Sequence, residues 1–162
     1  MQTEHEIIKN CIDYNPDTGV FVWKISCSAR SFKGQRIGWR TKAGYLRVQL
    51  NHHRYLLHRL AWFFVYGEFP TGELDHINGI TDDNRIINLR LANRSQQCSN
   101  QKKSVVNTTG FKGVSRRRGR FLAQIQYEKQ HYYIGDYDTP EEAHAAYCKK
   151  ADELHGEFSR HE

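Results

Sequence analysis

The sequence predicts an α+β protein in two parts, and three observations carry that reading. Short alternating runs and one apolar helix-like run fill the first hundred residues. The composition turns polar and aperiodic after Asn100. Three short strand-like runs and one sharply punctuated helix occupy the remainder. The domain limits this implies are residues 1–100, a linker at 101–109, and a second domain at 110–162.

The elements follow in order. Glu4 to Ile12 has the apolar spacing of a short helix, and Asn15-Pro16-Asp17-Thr18-Gly19 is a turn leading into the strand Val20-Phe21-Val22-Trp23. A basic, glycine-punctuated stretch from Arg30 to Lys42 comes next. Gly44 to Leu50 then alternates apolar with polar residues, as a half-exposed strand does. Leu57 to Tyr66 is apolar and aromatic enough for a buried helix, with Trp62, Phe63 and Phe64 read as core rather than as a base-stacking platform. Gly67-Glu68-Phe69-Pro70 breaks the chain before a strand carrying Asp75 and His76, and Gly79 provides the exit from it.

Beyond the linker, strands are expected at Lys112–Arg116, Phe121–Tyr127 and His131–Tyr137. Arg118-Gly119 and Lys129-Gln130 are the tight turns of an antiparallel meander. The closing helix has Thr139 as N-cap, Pro140 in its first turn, Glu142 to complete a capping box, and Gly156 at its end. Ala143, Ala146, Tyr147, Lys150, Ala151 and Leu154 put mostly small residues on one face, so the helix can lie close against a sheet whose other face stays open.

Composition narrows the function classes. The chain has 162 residues and a net charge of +6, with a pI near 9.2, which favours a polyanionic partner. No run of about eighteen apolar residues occurs. The start Met1-Gln2-Thr3-Glu4-His5-Glu6 lacks the basic-then-apolar plan of a signal peptide. An intracellular protein without a membrane partner is therefore expected. Cys11, Cys27, Cys98 and Cys148 form no Cys-x-x-Cys pair, which speaks against a structural zinc site and for free thiols.

The chemistry is concentrated in Leu74-Asp75-His76-Ile77-Asn78-Gly79, in Asp83-Asn84-Arg85-Ile86-Ile87-Asn88-Leu89-Arg90, and in the amide-rich run Ser95 to Asn100. A water attacking a phosphodiester needs a base with a pKa near neutrality, which histidine has without tuning. The charge that develops on the phosphate needs a divalent cation. Hard cations take oxygen ligands, which suits the Asp75 carboxylate and an amide oxygen from the Gln97/Asn100 face. Strand alternation sends Asp75 and His76 to opposite sides, so both serve one site only where the strand ends or twists. By itself an Asp-His pair is usually a turn or a strand end. Three readings of His58 stay open: aimed at the site, in contact with a phosphate, or hydrogen-bonded at the start of the apolar helix.

With the upstream block Tyr55-Leu56-Leu57-His58-Arg59-Leu60-Ala61-Trp62, these motifs make residues from about Tyr14 to Asn100 resemble an HNH endonuclease of the phage homing type. The resemblance implies a ββα-metal nuclease module. In it Asp75 and Gln97 bind Mg2+ or Mn2+, His76 is the general base, and Asn88 holds the His76 ring by a hydrogen bond. It also implies a double-stranded DNA substrate, no small-molecule cofactor, and a bacterial host cytoplasm. Gln97 departs from the family pattern, which has asparagine there. Glutamine carries its amide oxygen one methylene further, and Asn100, one turn on, is an alternative ligand.

Phe111-Lys112-Gly113-Val114, the run from Tyr133 to Ala143 and Leu154-His155-Gly156 resemble the Apetala-type, or ethylene-response-factor, DNA-binding domain. That resemblance implies a three-stranded antiparallel sheet, packed on one helix, that enters the major groove. Lys112, Ser115, Arg117, Arg120, Gln124, Gln126, His131 and Tyr133 would then face DNA. Ser115 and Gln126 stand where arginines are common, and Tyr133 where tryptophan is common, so the family's target does not carry over. Gln still suits adenine and Arg guanine. The other reading of Arg116, Arg117, Arg118 and Arg120 is a solvated hairpin tip.

Three functions are compatible with this sequence. The favoured one is a metal-dependent DNA endonuclease targeted by its C-terminal domain. The alternatives are a DNA-binding regulator with a decayed nuclease site, and an RNA-binding or packaging accessory. One centre per chain is compatible with nicking, or with double-strand cleavage by a homodimer.

Overall fold

The computed structural model describes residues 3–27, 31–93, 96–97, 107–159 and 161. The chain divides into two units, Met1–Leu91 and Ala92–Glu162. Among the described residues no helix is long and apolar enough to cross a membrane.

The first unit opens with helix α1 (Glu4–Cys11), held by a reciprocal cap. The Thr3 hydroxyl accepts from the Glu6 amide, and the Glu6 carboxylate accepts from the Thr3 amide at 2.8 Å. Strands β1 (Ile12–Asn15) and β2 (Val20–Trp23) pair antiparallel. Their turn is set by Asn15, whose side-chain oxygen accepts from the amides of Asp17 and Thr18 at 3.0 Å. A three-stranded antiparallel sheet follows: β3 (Trp39–Arg40), β4 (Leu46–Leu50) and β5 (His53–Leu56). The β4–β5 turn places Asn51 and His52 at φ 47° and 66°, the left-handed pair that matches the twist of a two-residue hairpin. Strand β5 has no counterpart in the sequence pattern, since His52-His53-Arg54 shows no apolar alternation.

Helix α2 (Leu57–Tyr66) has the expected limits and ends at Gly67, whose φ of 83° lets its amide return to the Phe63 carbonyl. One side of α2 (Leu57, Leu60, Ala61 and Phe63) is buried with Ile8, Ile12, Phe21, Val48 and Leu50 in the core. Phe63 is core, as expected, whereas Trp62 is only half-buried and packs on Tyr66. Strand β6 (Glu73–His76) forms a two-stranded sheet with β7 (Leu89–Ala92), and a short 3-10 turn at Ile86–Asn88 leads into the latter.

In the second unit, β8 (Val114–Arg117), β9 (Arg120–Tyr127) and β10 (Gln130–Tyr137) form an antiparallel sheet with β9 at its centre. Helix α3 (Pro140–His155) covers one face. Its Ala143, Tyr147 and Ala151 are buried against Val114, Ala123, Ile125 and Ile134. Two expectations need correction. Strand β8 begins at Val114 rather than Lys112, because Gly113 adopts φ 75° and breaks the extended run. The β9–β10 turn is Glu128-Lys129, at φ 48° and 67°, not Lys129-Gln130. Neither residue is a turn former, so nothing local marks the shift. Only half of the expected capping box forms on α3: the Thr139 hydroxyl accepts from the Glu142 amide at 3.3 Å, with no return bond. Cys98, Asn100 and most of the expected linker (101–106) lie outside the described residues.

Candidate active site and nucleic-acid face

Strand alternation is kept along β6. Leu74 and His76 point inward, and Asp75 turns to the other side, where Arg90 on β7 donates to its Oδ2 through Nε at 3.1 Å and Nη2 at 3.0 Å. The strand stops at His76 because Gly79, at φ 65°, folds its amide back to the His76 carbonyl at 2.8 Å.

His76 is 4% exposed, and Asn84, His58 and Tyr45 are among the side chains that border it. Its Nε2 lies 3.4 Å from Asn84 Oδ1, and its ring centroid is 5.3 Å from that of His58 and 5.8 Å from that of Tyr45. The Asn84 side-chain oxygen selects the tautomer with the proton on Nε2 and leaves Nδ1 basic. Burial pushes the His76 pKa down, against the opposing pull of Asn84 and of the Asp75, Asp83 and Asp82 carboxylates, so the ring is neutral at pH 7 as a base must be. Burial also lowers His58 to about 3, with smaller contributions from His76 and Arg59. Two buried polar atoms around His76, His58 Nδ1 and Asn84 Nδ2, have no hydrogen-bond partner among the described residues.

The hydrogen bond expected from Asn88 to the His76 ring is absent, and Asn84 takes that position. The Asn88 amide instead ties the connecting loop: its Nδ2 donates to Asn78 Oδ1 at 3.0 Å and to the Asp83 carbonyl at 2.8 Å, while its Oδ1 accepts from the Asn78 amide at 3.0 Å. Geometry explains the exchange. Asn88 sits in the 3-10 turn, where its backbone carbonyl accepts from the Ile77 amide at 2.9 Å, and its side chain is used up in bracing residues 78–83. Asp83 completes the brace by accepting from Asn78 Nδ2 at 2.7 Å and from Arg85 Nε at 2.8 Å. The bond from Arg85 holds the Asp83 carboxyl down at about 2.

Asn84 is in turn fixed from a distance. The Tyr14 hydroxyl donates to its backbone carbonyl at 2.8 Å, and the Ile86 amide donates to the Pro16 carbonyl at 3.1 Å. Gly19, at φ 71°, comes so close that a Cβ there would stand 2.6 Å from the Arg85 nitrogen.

Gln97 belongs to the second unit, where residues 96–97 are helical. Asn93 caps this turn: its Oδ1 accepts from the Gln96 amide at 2.9 Å, and Gln96 Oε1 accepts from the Asn93 amide at 2.7 Å. Among the described residues no three His, Cys, Asp or Glu side chains converge on one point.

The open face of the C-terminal sheet gathers most of the residues expected there. Arg117 pairs across the strands with Arg120, Gln124 with Tyr133, and Gln126 with His131, and all six are exposed. Cross-strand partners share a face, so these side chains form one polar, aromatic and basic surface opposite α3. Arg120 is partly engaged, donating to the Asp136 carbonyl at 3.2 Å and pairing with Asp138 at 3.1 Å. The Tyr133 hydroxyl donates to Asp136 at 3.1 Å. Lys112 precedes the sheet, in the turn whose carbonyl meets His144 of α3 at 3.2 Å, so it is not one of the strand residues of this face.

Two comparisons bear on identity. Protein 3.8 of Escherichia phage T7 is 31% identical over 106 residues, spanning 64% of this chain and 87% of that protein. The family profile described as HNH endonuclease matches residues 55–98, from β5 through α2 and the Asp75–His76 strand. The chain belongs to the HNH endonuclease family.

In this HNH endonuclease, Asn84, His58 and Tyr45 border the central histidine, a role that the sequence does not assign to them. Asn84 lies within the Asp83–Arg90 motif without a role of its own there, His58 has three open readings, and Tyr45 gives no sequence signal at all. His58 has a measurable consequence. Its folded pKa near 3 lies below the ordinary histidine value of 6.5, so its contribution to stability is complete above about pH 6.5 and is lost as pH falls toward 3. The expected slope is on the order of 1 kcal/mol per pH unit. All three tryptophans, Trp23, Trp39 and Trp62, lie in the first unit. Urea unfolding followed by their fluorescence at pH 7, 6 and 5 should therefore show a steeper loss in the natural protein than in His58→Leu. Equal slopes would remove His58 as the cause.

Proposed function

We propose that this HNH endonuclease is metal-dependent, that His76 is its general base, and that the C-terminal sheet directs it to preferred sites on double-stranded DNA. On this reading β6, β7 and the helical turn at Gln96–Gln97 are the parts of a ββα-metal unit. The second domain is of the Apetala type, with Arg117, Arg120, Gln124, Gln126, His131 and Tyr133 toward the bases and phosphates. Lys112 would contribute from the preceding turn.

The observation that carries the reading is the surroundings of His76. A buried, neutral imidazole is oriented by one amide and flanked by two buried polar atoms without partners among the described residues. In a satisfied core such atoms are rare, and they mark a place completed by something else. This reading takes a small hard cation, since magnesium is commonly bound by one or two carboxylates together with substrate phosphate and water. It requires Asp75, which lies across β6 from His76 and is paired with Arg90, to turn from Arg90 when the ion binds. Asp75 would supply the carboxylate and Gln97 an amide oxygen. A divalent ion supplies charge neutralisation at the phosphate. His76 takes a proton from water as its oxygen bonds to phosphorus, and the bond to the leaving oxygen breaks with its electron pair on that oxygen. Asn84 keeps the ring in place, and Asn88 keeps the loop bearing Asn84 from moving. One such centre per chain gives a nick, and a double-strand break takes a second copy.

The test is incubation of purified protein with supercoiled plasmid, with and without magnesium or manganese. Metal-dependent conversion to open circles is expected, and its absence refutes the reading. A second reading, a DNA-binding regulator with a decayed nuclease site, is favoured by one observation: Arg90 already neutralises Asp75 through two hydrogen bonds. Binding without cleavage would establish it.

Gln97 gives a finer prediction. If its amide oxygen completes the metal site, Gln97→Asn preserves or raises the rate, and Gln97→Ala lowers it with a higher metal requirement. Manganese should serve at least as well as magnesium, whose distances of about 2.1 Å tolerate little error. A wild-type metal titration in Gln97→Ala would remove this residue from the ligand set.

A further inference from the structure

The net charge of the chain is not evenly spread. Between Thr18 and Gly67 there are nine lysines and arginines and no aspartate or glutamate, whereas the remaining 112 residues carry 15 basic and 18 acidic side chains. The whole positive excess therefore resides in one stretch of the first unit. This stretch contains the β3–β4–β5 sheet.

The register of that sheet collects the charge. Arg47 stands opposite both Trp39 and Leu56, and Gln49 stands opposite Arg54. Val48 and Leu50 point to the core, so alternation turns Arg47 and Gln49 outward, and their cross-strand partners Trp39 and Arg54 with them. Trp39 is 67% exposed, the most of any tryptophan in the chain. A groove of about 560 Å³ runs beside it, bordered by Arg36, Trp39, Arg47, Gln49 and His52. Among the described residues none of Arg36, Arg47 and Arg54 has a carboxylate partner, whereas Arg40 at the edge is paired with Asp82.

We infer that this outer sheet face is a second DNA-contacting surface, separate from the C-terminal sheet. Arg36, Arg47 and Arg54 would neutralise backbone phosphates of the duplex, and the Trp39 ring would lie against the sugar-phosphate edge. The occupant is a polyanion because these cations around an exposed aromatic ring have no carboxylate complement among the described residues. Duplex DNA is the form at hand for an endonuclease of this family. The inference rests on the proposed function, and it adds that the nuclease unit grips DNA by itself rather than relying on the C-terminal sheet.

The test uses the full chain in EDTA, where no cleavage intervenes. Binding to a labelled 30-bp duplex is measured across a salt series for the natural protein, Arg36→Ala/Arg47→Ala, Trp39→Ala and Trp39→Phe. The double variant should bind about tenfold more weakly or worse, with a salt slope reduced by about 0.9 for each phosphate that is no longer neutralised. Trp39→Ala should weaken binding and Trp39→Phe restore it. Arg36 and Trp39 are exposed and Arg47 is half-buried, and unchanged thermal unfolding checks that each variant is folded. Natural affinity and slope in both the double variant and Trp39→Ala would overturn the inference. So would a loss seen only with single-stranded RNA of equal length. Plasmid cleavage by the natural protein with metal reports on the enzymatic reading separately, so the two fail in distinguishable ways.

Discussion

His76→Ala is expected to lower plasmid cleavage by about 100- to 10,000-fold while leaving DNA affinity nearly unchanged. The imidazole is 4% exposed and buried beside Asn84, His58 and Tyr45, so its removal deletes a proton acceptor and little of the surface that meets DNA. Asn84→Ala should be milder than His76→Ala, because the base remains and only its orientation is relaxed. Asn88→Ala should act through the loop. It releases three hydrogen bonds to Asn78 and Asp83, and its loss of rate should be accompanied by a lower melting temperature. A single-turnover assay at saturating DNA separates these cases, and a wild-type rate in His76→Ala would eliminate it as the base.

Gly113→Ala should be the most damaging single methyl group in the second unit. A Cβ there would stand 2.0 Å from the Tyr147 ring, in a backbone conformation of φ 75° that L side chains rarely adopt. The left-handed backbone costs about 1–3 kcal/mol, and the overlap adds about 1–3 kcal/mol, a large part of what a small domain has. Calorimetry should show the melting of this unit lowered by roughly 10 °C or more, with loss of site preference on DNA. The tryptophan-reported melting of the first unit should stay where it is. An unshifted transition would mean that Tyr147 swings aside at little cost.

Much of the fold is legible in the sequence because local chemistry and burial agree. Helix α2 announces itself by a ten-residue run in which only His58 and Arg59 are polar, closed by a glycine, and α3 by Thr139, Pro140 and Gly156. The hairpin tip Arg118-Gly119 is equally plain. What escapes is specified by distant partners. Strand β5 has no alternation of its own and is held by β4. The Glu128-Lys129 turn contains no turn-forming residue and is set by the register of its flanking strands.

At the candidate site, the motif separates residues that carry chemistry from ordinary ones, but it does not show which asparagine meets the histidine. Asn84 and Asn88 are four positions apart in a stretch that passes from irregular loop into a 3-10 turn, where neither the α-helical nor the strand period applies. The decision is made by Tyr14, Pro16 and Gly19, which no local pattern connects to His76.

That last arrangement has a bearing on when the enzyme becomes competent. The bond from the Tyr14 hydroxyl to the Asn84 carbonyl spans 70 positions, and Gly19 touches the same loop. Closing so long a segment costs conformational entropy before any contact rewards it, and topology of this kind slows folding. A chain emerging from the ribosome therefore has its N-terminal hairpin waiting, unable to hold Asn84 until the whole stretch up to β7 has been made. Nuclease competence is tied to completion of the first unit, and a fragment that stops short of it carries the histidine without the support that aims it.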